Sequence, residues 1–118
     1  MSTPAKFIGL GNTTAVAMLG AGATPGNLSM LVMTNSATAI RRVKLYDKAT
    51  APTSTDTPKQ VYELPAAAAS SIAGVVAPIP QEGMVFQLGM WLRITTGQAD
   101  NDNTAATAGD VVVNWATR

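Results

Sequence analysis

Apolar and polar residues alternate along several short stretches of this chain, most clearly from Met84 to Thr95. Met84, Phe86, Leu88, Met90, Leu92 and Ile94 fall on one parity, against Val85, Gln87, Gly89, Trp91, Arg93 and Thr95 on the other. That period of two belongs to a strand with one wholly apolar face, since a helix would scatter the same residues around its circumference. The segment reads as one strand, with Gly89 marking a bulge or bend. Arg42 to Tyr46 repeats the pattern, with Val43 and Leu45 opposed to Arg42, Lys44 and Tyr46, as for a strand buried on one side only. Leu28 to Asn35 is apolar on both parities, the mark of a central strand between two layers. Joined by Ser36 to Ala39, it predicts a hairpin with Ile40 to Tyr46.

Further strands are expected at Thr13 to Leu19, at Gln60 to Leu64 before Pro65, and at Asp110 to Trp115. Turns are expected at 21–27, around Pro25-Gly26, and at Gln81-Glu82-Gly83. Ala66 to Pro80 combines an alanine run with Ile72, Val75, Val76, Ile79 and trailing prolines; it reads as irregular or strand, with a short helix as the alternative. The sum is an all-β, single-domain β-sandwich or jelly-roll-like barrel of about seven or eight short antiparallel strands. Residues 1–12, with two glycines among apolar anchors, read as an N-terminal arm ahead of a β-sandwich domain at 13–118. The polar connections at 47–59 and 96–109 are long for a compact domain and are expected to make contacts.

Composition sharpens this picture. Hydrophobic residues make up 47% of the 118, enough for a core without metals or disulfides. Charged residues supply only 13% and the formal net charge is +1, so the surface loses little on desolvation and suits a subunit packed among neighbours. The same figures argue against nucleic acid. Only Arg41, Arg42 and Lys44 cluster, and strand alternation sends Arg41 to the opposite face from the other two, which read as a solvated strand edge. After Met1 the start is polar, so no signal peptide is expected, and the serines, glycine and prolines of Ala66 to Pro80 preclude a membrane span.

Chemistry-bearing residues are few. With no cysteine and no histidine, thiol nucleophiles, zinc clusters and the commonest general base are all missing. Asp100, Asp102 and Asp110 stand among Asn and Thr in a loose likeness to a hard-cation loop, but an EF-hand spacing is incomplete and solvated Asx turns explain them as well. Glu63 and Glu82 have nothing to place them across a cleft. No catalytic residue, metal or cofactor is therefore expected. Tyr46, Trp91 and Arg93 could form a sugar-stacking platform, although core packing or subunit contact explains such aromatics more simply. Phe7, Ile8 and Leu10 in the arm, and Lys48 in the first long loop, complete the candidate interaction residues.

Two blocks carry a resemblance. KLYDKATAPTSTDTP at 44–58 and ITTGQADNDNTAATAGDVVVN at 94–114 are similar to segments of small β-sandwich virion structural proteins of tailed bacteriophages. That family shares a K-L-Y-[DN]-K-A-T-A-P-T strand end, a D-T-P element and an I-T-x-G-x-A-D-x-D-x-T-A-x-x-A-G-[DE]-V block. The match spans roughly Val43 to Asn114 and departs after Pro58, where KQVYELPAAAASSI is more polar than the family's apolar strand. The resemblance implies a virion component present in many copies and assembled in the host cytoplasm. Low charge, a compact β-fold, long polar loops and these motifs together make a capsid decoration or cement protein, touching the major capsid protein and its own copies, the first expectation, and the excess of hydrophobic over charged residues suggests a trimer or dimer. A neck or tail component, or a glycan-binding adhesion module, is the alternative.

Overall fold

The computed structural model describes residues 3–20 and 24–118, so the first part of the turn expected at 21–27, and the first two residues of the arm, lie outside the described residues. Among the described residues the chain is all-β, with nine strands in two antiparallel sheets and no helix. The strands are β1 (Thr3–Ile8), β2 (Val16–Ala17), β3 (Gly26–Asn35), β4 (Arg41–Asp47), β5 (Gln60–Leu64), β6 (Ala73–Val76), β7 (Met84–Phe86), β8 (Met90–Thr95) and β9 (Val111–Thr117). The first sheet has the order β1-β9-β3-β6, with β7 pairing the other half of β3; the second has the order β2-β8-β4-β5.

One core lies between them, as a β-sandwich requires. The first sheet sends in Leu28, Leu31, Met33, Phe86, Val111, Val113 and Trp115, and the second sends in Val43, Leu45, Tyr62, Leu64, Met90, Leu92 and Ile94. Alternation in β9 accounts for its share, since Val111, Val113 and Trp115 are buried while Val112 and Asn114 are only half so. Trp115 can sit inside because its indole N–H donates to Met18 O at 3.0 Å. Tyr62 keeps its phenol in this core, where burial raises its pKa.

Four expectations need correction. The run from Met84 to Thr95 is two strands in different sheets: β7 pairs with β3, β8 pairs with β4, and the chain crosses between layers at Gln87 to Gly89. Asp47 holds that crossing, accepting from the backbone N–H of Gln87 (3.0 Å), Leu88 (2.8 Å) and Gly89 (3.3 Å). Nor do β3 and β4 form a hairpin. The buried Asn35 accepts from Ala37 N and donates to Ala39 O and Pro65 O, turning 36–40 into an arch from one sheet to the other. The arm reading fails for Thr3–Ile8, which pairs along all of β9, with Phe7 packed against the core. Finally, the segment 13–19 keeps only the short β2, whereas 66–80 is irregular with one edge strand, β6, as expected.

Candidate functional site: a polar layer and groove over the second sheet

The outward face of β4 and β8 was expected to be solvated and is instead sealed. Cross-strand pairs Arg42–Thr95, Lys44–Arg93 and Tyr46–Trp91 line it, and Lys44 and Tyr46 have no exposure, with Arg93 at 2%. The covers are the long loops. Ala99 O accepts from Lys44 Nζ at 2.7 Å, Lys48 O accepts from the Trp91 indole at 3.0 Å, and Thr95 Oγ1 donates to Gly97 O at 3.0 Å. Arg93 ties three elements together: its Nε donates to Thr13 O at 2.8 Å, one terminal nitrogen to the Tyr46 hydroxyl at 3.3 Å, and the other to Asn103 Oδ1.

Each cover loop is itself braced. In the first, Lys48 and Asp56 pair at 2.6 Å and Asp56 also accepts from Thr53 N at 2.9 Å; the Lys48 hydrogen bond, foremost, holds the Asp56 carboxyl below its usual range. In the second, Asp102 accepts from Thr104 N at 2.9 Å and Gly97 N at 3.2 Å, which lowers its pKa likewise. Gly97 is required there, because a Cβ would run into the Asp102 carboxylate.

The charge balance of this layer is uneven. The ion pairs of the described residues are Arg41–Asp110 (3.2 Å), Arg42–Glu63 (3.0 Å) and Lys48–Asp56, which leaves Lys44 and Arg93 hydrogen-bonded to neutral acceptors alone. Burial, foremost, pushes the Lys44 ammonium below its ordinary pKa; Asp102 opposes that shift and Arg93 adds to it.

Above Arg93 lies a shallow groove of about 360 Å³. Thr13, Thr14 and Ala15, from the link into β2, form one wall; Ala51 to Ser54 of the first long loop form another; Arg93 and Asn103 lie between. Four hydroxyls, one amide and one guanidinium line it, with no carboxylate.

The candidate residues named from sequence divide. Tyr46, Trp91 and Arg93 do come together, but buried, so neither ring presents a face to a sugar. Lys48 is engaged by Asp56. Phe7 packs inward, whereas Ile8 (49% exposed) and Leu10 (66%) stay open. The three aspartates considered for a cation do not share a site: Asp110 pairs with Arg41, Asp102 braces its own loop, and Asp100 is exposed. Among the described residues no group of three His, Cys, Asp or Glu is placed to hold a metal ion. Glu63 stands on β5 of the second sheet, and Glu82 precedes β7 of the first. Reasoning from sequence missed Lys44 as a buried group, along with Thr13, Thr53, Ser54 and Asn103. The one available signal was the apolar flanks of Lys44.

Protein-family models, curated proteins and solved structures give no match to this chain.

Proposed function

We infer that this chain is a non-enzymatic structural subunit of a virion, in first place a decoration or cement protein that stabilises a capsid shell through contacts with the shell protein and with its own copies. The observation that carries this reading is the asymmetry of the sandwich. The outer face of the second sheet is closed by the chain's own loops, while that of the first sheet keeps Ile8, Met30, Val76 and Val85 exposed. Across it, register places Ile8 beside Val112 and Thr34, Lys6 beside Asn114, Val32 and Val76, and Pro4 beside Ala116 and Met30. Val76 is 73% exposed and Val85, toward the β7 end, 52%. Lys6 is the single charge among these positions.

Size argues for a lattice rather than a tight dimer. Four strands about 4.8 Å apart and about 7 residues long present roughly 450 Å², within the largest apolar patches that monomers carry. Burying two such patches removes about 900 Å², just short of a stable specific interface of about 1,000 Å² or more, so useful affinity comes from many copies engaging at once. The motif blocks similar to tailed-phage virion proteins give the assembly its identity within this proposal; a sandwich fold alone hosts many functions. Quantitative mass spectrometry of purified particles is the test. Copy numbers comparable to the major shell protein are expected. A copy number far below that would move the protein to the neck or tail, and its absence from particles would end the virion reading.

A further inference from the structure

We propose that the groove between the Thr13–Ala15 and Ala51–Ser54 loops is a binding site for a small oxyanion, held by Arg93 with hydroxyl and amide donors around it. Arg93 is 2% exposed, and each of its three hydrogen bonds goes to a neutral oxygen: a carbonyl, a phenol and an amide. Every carboxylate of the chain is described, and none lies within ion-pair distance of this guanidinium or of the Lys44 ammonium beside it. A buried cation without a counter-ion is costly, and two directly opposed across adjacent strands cost more than one. Asp102 and Asp100 act on Lys44 from beyond ion-pair distance, so the deficit centres on Arg93, where an anion entering from solvent would relieve it.

The groove supplies the means. Arg93 lines the groove, and among the described residues three of its five guanidinium N–H groups have acceptors, all of them neutral. Asn103 accepts through Oδ1 from both Arg93 and Thr13, which fixes its amide and leaves its NH₂ group as a donor. Thr14 and Ser54 add hydroxyls on the walls, whereas the Thr53 hydroxyl is shared with Thr55. A guanidinium, an amide and hydroxyls around a space free of carboxylates select against cations and for a phosphate, sulfate or carboxylate. That ligand chemistry has two sources, a free inorganic anion or an acidic side chain of a neighbouring protein. The proposal stands on the groove and is independent of the assembly reading above.

The test is titration of the full chain with inorganic phosphate and, separately, with acetate, each against chloride at equal ionic strength, followed by thermal unfolding and by amide NMR shifts. A saturable rise in the unfolding midpoint is expected, with shifts centred on residues 13–15, 51–54 and 103, and a dissociation constant of about 1 mM. Acetate acting as well as phosphate identifies the carboxylate of a neighbouring chain as the natural occupant. Phosphate acting alone identifies a free tetrahedral anion. Asn103→Asp replaces the amide donor by a carboxylate beside Arg93 while keeping an oxygen that accepts from Arg93 and Thr13; it is expected to raise the midpoint in the absence of ligand and weaken phosphate at least about ten-fold. No response to either anion beyond chloride, or an undiminished phosphate response in Asn103→Asp, overturns the proposal.

Discussion

Asp47 shows how one side chain sets a feature that its surroundings in the sequence hide. It stands at the end of β4, and its carboxylate collects three successive N–H groups at the crossing between β7 and β8. Burial by itself would raise its pKa, but those three donors, with Lys59 nearby, hold it below the usual carboxylate range. The native state therefore binds fewer protons here than the unfolded chain. The stabilisation is complete above the ordinary Asp value of about 3.9 and is lost as pH falls through the lower native value. Asp47→Asn is expected to cost about 1–3 kcal/mol at pH 7. Urea unfolding at neutral pH and at a pH below that native value measures the difference, which should narrow at the acidic end; a gap of constant size would disprove this role for the carboxylate. Nothing in the local sequence reveals it, because the partners lie forty residues away. Lys44 is similar: its alternation with Val43 and Leu45 was legible and its parity right, but its cover, Ala99, is reached only through the fold.

Strands were legible where a period of two met a clear stop. Gln60–Leu64 ends at Pro65 as expected, and β9 begins within one residue of its expected start. Sheet membership was not legible, because a strand that changes layers keeps its alternation: Phe86 and Met90 both point into the core from opposite sheets, so Met84 to Thr95 reads as continuous. In the same way, β1 was hidden by the glycines that follow it, although Ala5 and Phe7 on one parity pack against the core. The pairing reverses what an arm would predict for truncation. Removing residues 1–8 uncovers the edge of β9 and the core flank under Phe7, and is expected to cost about 3 kcal/mol or more and to lower soluble yield. Thermal unfolding of the truncated chain checks this, and an unchanged midpoint would restore the arm reading. Leu92→Ala, at a position with no exposure, is expected to cost about 2–5 kcal/mol by the same measurement.

At the scale of the whole molecule, the low charge content noted in the sequence acquires a location. Arg42, Lys44, Lys48, Asp56, Glu63, Arg93 and Asp102 belong to the second sheet and its loops, whereas the open face of the first sheet keeps Lys6 alone. Low charge thus describes a particular surface, which composition could suggest but could not place. Because about 900 Å² is small for a dimer, the free chain should associate weakly, monomeric at a few micromolar and reversibly self-associating at about 100 μM or above. Sedimentation velocity across that range is the measurement. Val76→Lys puts a second cation on the exposed face, one strand from Val32 and in the row that already holds Lys6. Two copies facing each other would then bury opposed like charges, so association should weaken at least about ten-fold while the unfolding midpoint stays within about a degree. A variant that still associates as the parent does would locate the contact on another face. A parent that stays monomeric throughout would confine assembly to surfaces of a different protein.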